Sequence, residues 1–437
     1  MTPYPSSDYP GKQLLNEDEV IKTIGNGGRF HNIHFIREFS LSSDESVHDK
    51  LSFTNCVFDK KFSLSLMKFE QLTFRDCIFQ DELYLGTIET IQADGSNAGW
   101  KGVEFSDCEI NGPMPIDNCK INEFRFNSSK INHCYFRSSE VEFLKLAGSV
   151  FNRFAFEQAE EIDSAPGRSA IKHVQIGGAL EDSNISFIDT VIEKISLLGI
   201  VNFGLLRFTN VNFHSPDASF LIKNSDIGNT FFSQIDFSRL KRFQVIRSNV
   251  SGIKTAGVIW PKEISGGKNV YIGGDRDGET LHFEQRDLYR QLKYAMESQC
   301  DRVQALEFQE REMRFLFKDL KMTDPDWWAV GFSQITSDHG RNWFKPFFQL
   351  VVASFLFFFP IMMLLGTSYT FDVPGYHFLS EWMHFMNPLQ FDFITELVES
   401  GKHESRIALI LFMLWKTVFF LWVYQIIAAF RKYSRKI

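Results

Sequence analysis

The sequence predicts a β-solenoid followed by a helical hairpin and two transmembrane α-helices. Three observations predict it. A bulky apolar residue recurs at every fifth position through much of the first half of the chain. Phe occurs 47 times in 437 residues, against 11 Tyr and 8 Trp. Two long stretches near the C-terminus carry almost no charge. Single hydrophobic cores stop growing near about 250–300 residues, so a chain of this length is expected to hold several domains. A net charge of −8 disfavours nucleic acid as a partner, and a 44% apolar composition is not that of a disordered chain.

The first 27 residues form a polar N-terminal segment. Met1–Asn16 has neither the basic region nor the apolar region of a cleaved signal, so the first part of the protein is expected to be cytosolic. Six cysteines, Cys56, Cys77, Cys108, Cys119, Cys134 and Cys300, form no CxxC and no Cys/His spacing suited to zinc. Those within the repeat read as small core residues in a reducing compartment.

Residues 28–260 carry the repeat. Its strictest run is Ile116, Ile121, Phe126, Ile131, Phe136, Val141, Leu146, Phe151 and Phe156. The residue two before each of these is mostly small and large by turns: Cys119, Ser129, Ser139 and Ser149 against Met114, Phe124, Leu144 and Phe154, with Cys134 breaking the pattern. The same spacing returns, in shifted phase, at Leu64, Phe69, Phe74 and Phe79, and at Phe203, Phe208 and Phe213. A period of five matches neither a helix nor a flat strand. It matches a square coil whose faces each take five residues and send one bulky side chain to the axis. Coils of about twenty residues would stack at ~4.8 Å, giving roughly eleven coils. Thr87–Gly102 and Glu160–Asp182 read as insertions.

On these residues the chain resembles the bacterial pentapeptide-repeat family. The family's unit appears with Phe or Ile at its centre and Cys or Ser in its small position. The resemblance implies a right-handed quadrilateral β-helix over a little over half the chain. Some members of the family imitate DNA, but the acidic residues here form no evident stripe.

A Gly-rich linker, 261–283, leads to a cytosolic connector, 284–338. In the connector, Leu288, Leu292, Ala295 and Met296 make one helical stripe, and Ala305, Phe308, Met313 and Phe315 part of a second. Tyr289, Gln291, Leu292, Lys293, Asp301, Ala305, Phe308, Arg311 and Glu312 resemble the connector of pentapeptide-repeat proteins that continue into a membrane segment of ion-channel type. The resemblance implies a channel-like membrane domain.

That domain is expected at 339–437. Its first span, 347–366, has no charge, and its second, 407–430, has one; about 20 apolar residues suffice to cross a bilayer as a helix. Pro360 lies inside the first span. Arg341 and Lys345 precede the spans and Arg431, Lys432, Arg435 and Lys436 follow them, whereas the intervening loop, 367–406, is mainly acidic. Lys and Arg are retained on the cytoplasmic side, so both termini are expected in the cytoplasm of a bacterial inner membrane. The loop lacks the carbonyl filter of potassium channels. Its aromatic stretch, Phe378–Phe393, reads as a helix in the outer interface or a segment dipping into the bilayer.

Lys416 is the principal candidate, because a cation near mid-bilayer costs roughly 2.5–3.5 kcal/mol and demands a partner or a use. It is expected to line an oligomeric pore or hold an acidic partner, with snorkelling or pairing to the loop as structural alternatives. Gln349 and Gln425 suit hydrogen bonds between helices. No nucleophile–base arrangement and no cofactor motif is found, so no enzyme is expected. The sequence supports two readings. One is an oligomeric, channel-like or membrane-disrupting effector, its solenoid docking an unknown cytosolic protein. The other is a tethered scaffold.

Overall fold

The fold is described from a computed structural model. It covers residues 28–434 except 43–46, 91–100, 158–170, 180–181, 202–203, 263, 265–277, 367–375 and 400–404. The expected N-terminal segment, most of the Gly-rich linker, Arg435 and Lys436 lie outside the described residues. The chain forms two compact units. Met1–Arg276 with Tyr294–Gln299 make the first, and Asp277–Lys293 with Cys300–Ile437 the second.

The first unit is a parallel β-solenoid of about nine turns. In the strict run, residues twenty apart are partners in successive coils. Ile116 pairs with Phe136 and that with Phe156, while Ile121 pairs with Val141, Phe126 with Leu146 and Ile131 with Phe151. These are four separate columns, one bulky residue per face, and all nine side chains are buried. Apolar burial at five-residue intervals drives the coil, because each face hides one large side chain.

Stacking follows from the same register. Phe30, Phe53, Phe74 and Phe105 lie ring on ring at 4.8, 5.0 and 4.8 Å. This is close to the strand spacing of ~4.7–4.9 Å, so each coil sets a ring against its neighbour. The count of about nine turns falls short of the eleven expected because many coils exceed twenty residues. The step is 20 from Phe126 to Leu146, but 31 from Phe74 to Phe105 and 30 from Leu146 to Ile176. The first long step contains Thr87–Gly102, and the second contains most of Glu160–Asp182.

The alternation of small and large residues has a backbone origin. Asn118, Ser128, Ser138 and Gly148 have φ of 53°, 49°, 48° and 57°, so every second corner turns through a left-handed residue. Asn and Gly adopt that conformation at least cost. The small residue comes directly after it. Between these corners an eight-residue strand such as Lys120–Asn127 bends across two faces. The small residues also satisfy the backbone: Ser129 Oγ accepts from Cys108 N at 3.1 Å, Ser149 Oγ from Ser129 N at 3.1 Å, and Ser139 Oγ from Cys119 N at 3.2 Å. Buried amides interrupted by a corner thus keep acceptors.

The last coil is closed by a side chain outside the repeat. Gln299 Oε1 accepts from Thr255 N at 2.6 Å, and its Nε2 donates to the Ile253 carbonyl at 2.9 Å. Two backbone groups at the open edge of the sheet are thereby paired.

The helices are α1 (Gly278–Ser298), α2 (Arg302–Asp319), α3 (Pro325–Ser337), α4 (Phe344–Leu364), α5 (Tyr376–Met386), α6 (Phe393–Glu399) and α7 (Arg406–Ser434). Asp301 caps α2 by accepting from Gln304 N. In the second unit Tyr289 of α1 stacks on Phe315 of α2 at 5.7 Å, while Lys293 pairs with the buried Glu312. The single stripe expected on α1 therefore divides: Leu288 and Leu292 belong to the second unit, Ala295 and Met296 to the solenoid.

Helices α4 and α7 are long and apolar enough to cross a membrane. In each, 28% of the apolar window is buried within the fold. A core helix of a soluble protein buries its apolar surface; these leave most of theirs outward.

Candidate functional site

The site is built where the hairpin of α5 and α6 packs against both α4 and α7, which also pack on each other. Asn387–Pro388 ends α5, since a residue before proline is pushed out of the helical region. The chain turns through Asn387–Asp392 and returns as α6. Phe385 lies against Phe358 of α4 at 5.3 Å and stacks on Trp415 of α7 at 5.2 Å. Phe393 stacks on Phe412 at 5.8 Å. Phe358, Phe385, Phe412 and Trp415 are buried at 0% exposure, so this hairpin belongs to the core of the second unit.

Two contacts gauge its depth. Trp382 Nε1 donates to Ser354 Oγ at 3.0 Å, and Ser354 is the midpoint of α4. Lys416 Nζ donates to the Asn387 carbonyl at 2.6 Å and the Phe385 carbonyl at 3.4 Å. Lys416 lies ten residues into α7, about 15 Å at ~1.5 Å per residue. The hairpin therefore reaches the middle of both apolar helices and does not lie across their ends, as a purely interfacial helix would.

Lys416 is 3% exposed. It meets neither a carboxylate nor an open surface, among the described residues. Its ammonium sits on the carbonyl end of α5, where the helix dipole is negative, and beside the faces of Phe412 at 5.0 Å and Phe391 at 5.7 Å. A lysine in an apolar segment thus finds its partners in backbone acceptors that Pro388 released from helical bonding. It anchors the hairpin.

The other candidates sit elsewhere. Gln349 Nε2 donates to the Ile335 carbonyl of α3 at 3.0 Å, and Gln425 Oε1 accepts from Ser337 Oγ at 3.4 Å. Both hold α3 against α4 and α7. Pro360 lies on the exposed face of α4, and the helix continues through it. Arg341 pairs with Glu307 at 2.9 Å and Glu310 at 2.8 Å, and Lys345 with Asp338 at 2.7 Å. Arg431 and Lys432 belong to the end of α7.

Residue patterns did not single out Ser354 or Asn387. Two signals could have found them: a small hydroxyl at the centre of an uncharged run, and the Asn-Pro dipeptide that stops α5. Among the described residues no group of three or more His, Cys, Asp or Glu could hold a metal ion. Compared with known proteins, the chain matches no family model, no curated protein and no solved structure.

Proposed function

We propose that the chain is an integral protein of a bacterial inner membrane. Helices α4 and α7 cross it, and both termini are cytoplasmic. The solenoid is a cytosolic docking or sensing domain, a divergent relative of pentapeptide-repeat coils, as the four columns at twenty-residue spacing support. The membrane unit acts as an oligomeric, channel-like effector.

One observation carries the reading: a helical hairpin is held against both long apolar helices, near their middle, by Lys416. A tether needs neither a second span nor a folded segment between spans. Two spans cannot enclose a pathway alone, so several copies are required. Lys416 contributes by fixing the hairpin, since its ammonium is consumed by carbonyls.

The test is membrane potential in cells expressing the full chain, read by a potential-sensitive dye, beside a chain ending at Asp338. Depolarisation that requires the spans is the expected result. An unchanged potential at high expression, together with a lack of ion flux in liposomes holding the purified protein, would leave the tethered scaffold as the reading.

A further inference from the structure

The hairpin presents one polar array to the outside. His384, near the end of α5, and Glu396, in α6, are both exposed. Gln390 at the tip joins them: its Oε1 lies 3.0 Å from His384 Nδ1, and its Nε2 lies 2.9 Å from Glu396 Oε2. The chemistry fixes the direction of this chain. An ionised carboxylate only accepts, so the Gln390 amide must turn its NH2 to Glu396 and its oxygen to His384. His384 Nδ1 must then carry the proton. In the neutral ring this leaves Nε2 as an acceptor without a partner among the described residues, and Glu396 Oε1 is likewise an acceptor without one.

The inner face of the same hairpin is apolar, with Phe385, Phe393 and Ile394 buried. Its polar face is therefore the one turned away from its own spans. The tip that carries Gln390 lies beside Lys416, at the middle of α7. Exposing a carboxylate, an imidazole and an amide to hydrocarbon there would cost several kcal/mol, so this face requires water or polar groups from another copy.

Resting on the oligomeric channel reading, we propose that His384, Gln390 and Glu396 line a water-filled pathway between copies of the chain and that the pathway passes cations. The outward groups are acceptors and one is anionic. The neighbouring Lys416, at 3% exposure, presents no charge to that surface.

The test uses the purified full chain in planar bilayers under a KCl gradient. The wild type is expected to reverse near the potassium equilibrium potential. Glu396→Gln, which keeps a hydrogen-bond acceptor for Gln390, should lower the cation-to-anion permeability ratio several-fold, and Glu396→Lys should move reversal to the anion side. Reversal unchanged in both variants overturns the assignment.

A second measurement separates this failure from failure of the channel reading, because it needs no current. In a Cys300→Ser background, Gln390→Cys and Leu414→Cys are treated with a membrane-impermeant cationic thiosulfonate in liposomes. Leu414 is on the outward apolar face of α7. Modification at 390 with none at 414 supports a water-lined face, whether or not current is seen. Equal protection of both positions overturns it.

Discussion

Lys416 shows how one residue reconciles a charge with an apolar segment. Its ammonium replaces water with two carbonyls and two aromatic faces, so removing it leaves buried acceptors unsatisfied. Each such group costs about 1–3 kcal/mol. Lys416→Met is expected to leave α7 inserted but to loosen the hairpin. Amide hydrogen exchange across Tyr376–Met386 should rise by about one to two orders of magnitude, since 1.4 kcal/mol is a factor of ten. Unchanged exchange would show that the anchor lies elsewhere.

The cysteines give a second residue-scale prediction. Burial pushes the thiols of Cys77 and Cys119 up to about 12, and Cys134 is also raised by burial. The thiolate is the nucleophile, so these groups are inert near neutrality. At pH 8 only the exposed Cys300, among the six, should alkylate in the folded protein, as intact mass would show. Stability is linked to the same titrations. The folded values of Cys77 and Cys119 lie above the ordinary 9.0, so the stabilisation is full below pH 9 and falls as pH rises toward 12. Melting temperature of the solenoid should fall across that interval.

At the scale of the element, each coil depends on contacts that only stacking creates. Ser129 accepts from Cys108 N, and Ser129→Ala should cost about 1 kcal/mol by leaving that amide unpaired. Ser129→Cys should cost less, because Cys108 and Cys77 hold the equivalent corner in earlier coils. Phe126→Ala, at a buried ring between coils, should cost about 3–5 kcal/mol. Gly252 has a steric requirement: a Cβ there would stand 2.3 Å from the Gly228 carbonyl oxygen. Gly252→Ala should therefore destabilise the last coils by about 1–3 kcal/mol, visible as earlier chemical unfolding. Helix α5 shows the same dependence from the other side. Its aromatic residues favour an interface or a core equally, and only Ser354, Trp415 and Lys416 in other elements choose between them.

For the whole molecule, the prediction concerns assembly. In the channel proposed above, the outward faces of α4 and α7 meet lipid and the polar face of the hairpin meets water. A single copy cannot provide both at one depth. Native mass spectrometry of the full chain in mild detergent should show an oligomer, and a population wholly monomeric across detergents would count against a shared pathway.

What the sequence determined by itself is everything set by periodicity and composition. The five-residue spacing from Ile116 to Phe156 specified a four-faced coil, because each face must bury one large side chain. Two runs, one without a charge and one with a single lysine, specified two long apolar helices for the same reason, since length and hydropathy are local properties. Tertiary structure decided what depends on partners distant in the chain. It set about nine turns instead of eleven, because the strand register fixes how far each coil exceeds twenty residues. It placed Gln299 over the last coil, a contact spanning more than forty residues. It also gave Lys416 its partners, because the carbonyls of Phe385 and Asn387 reach it only when α5 folds back to the middle of α7.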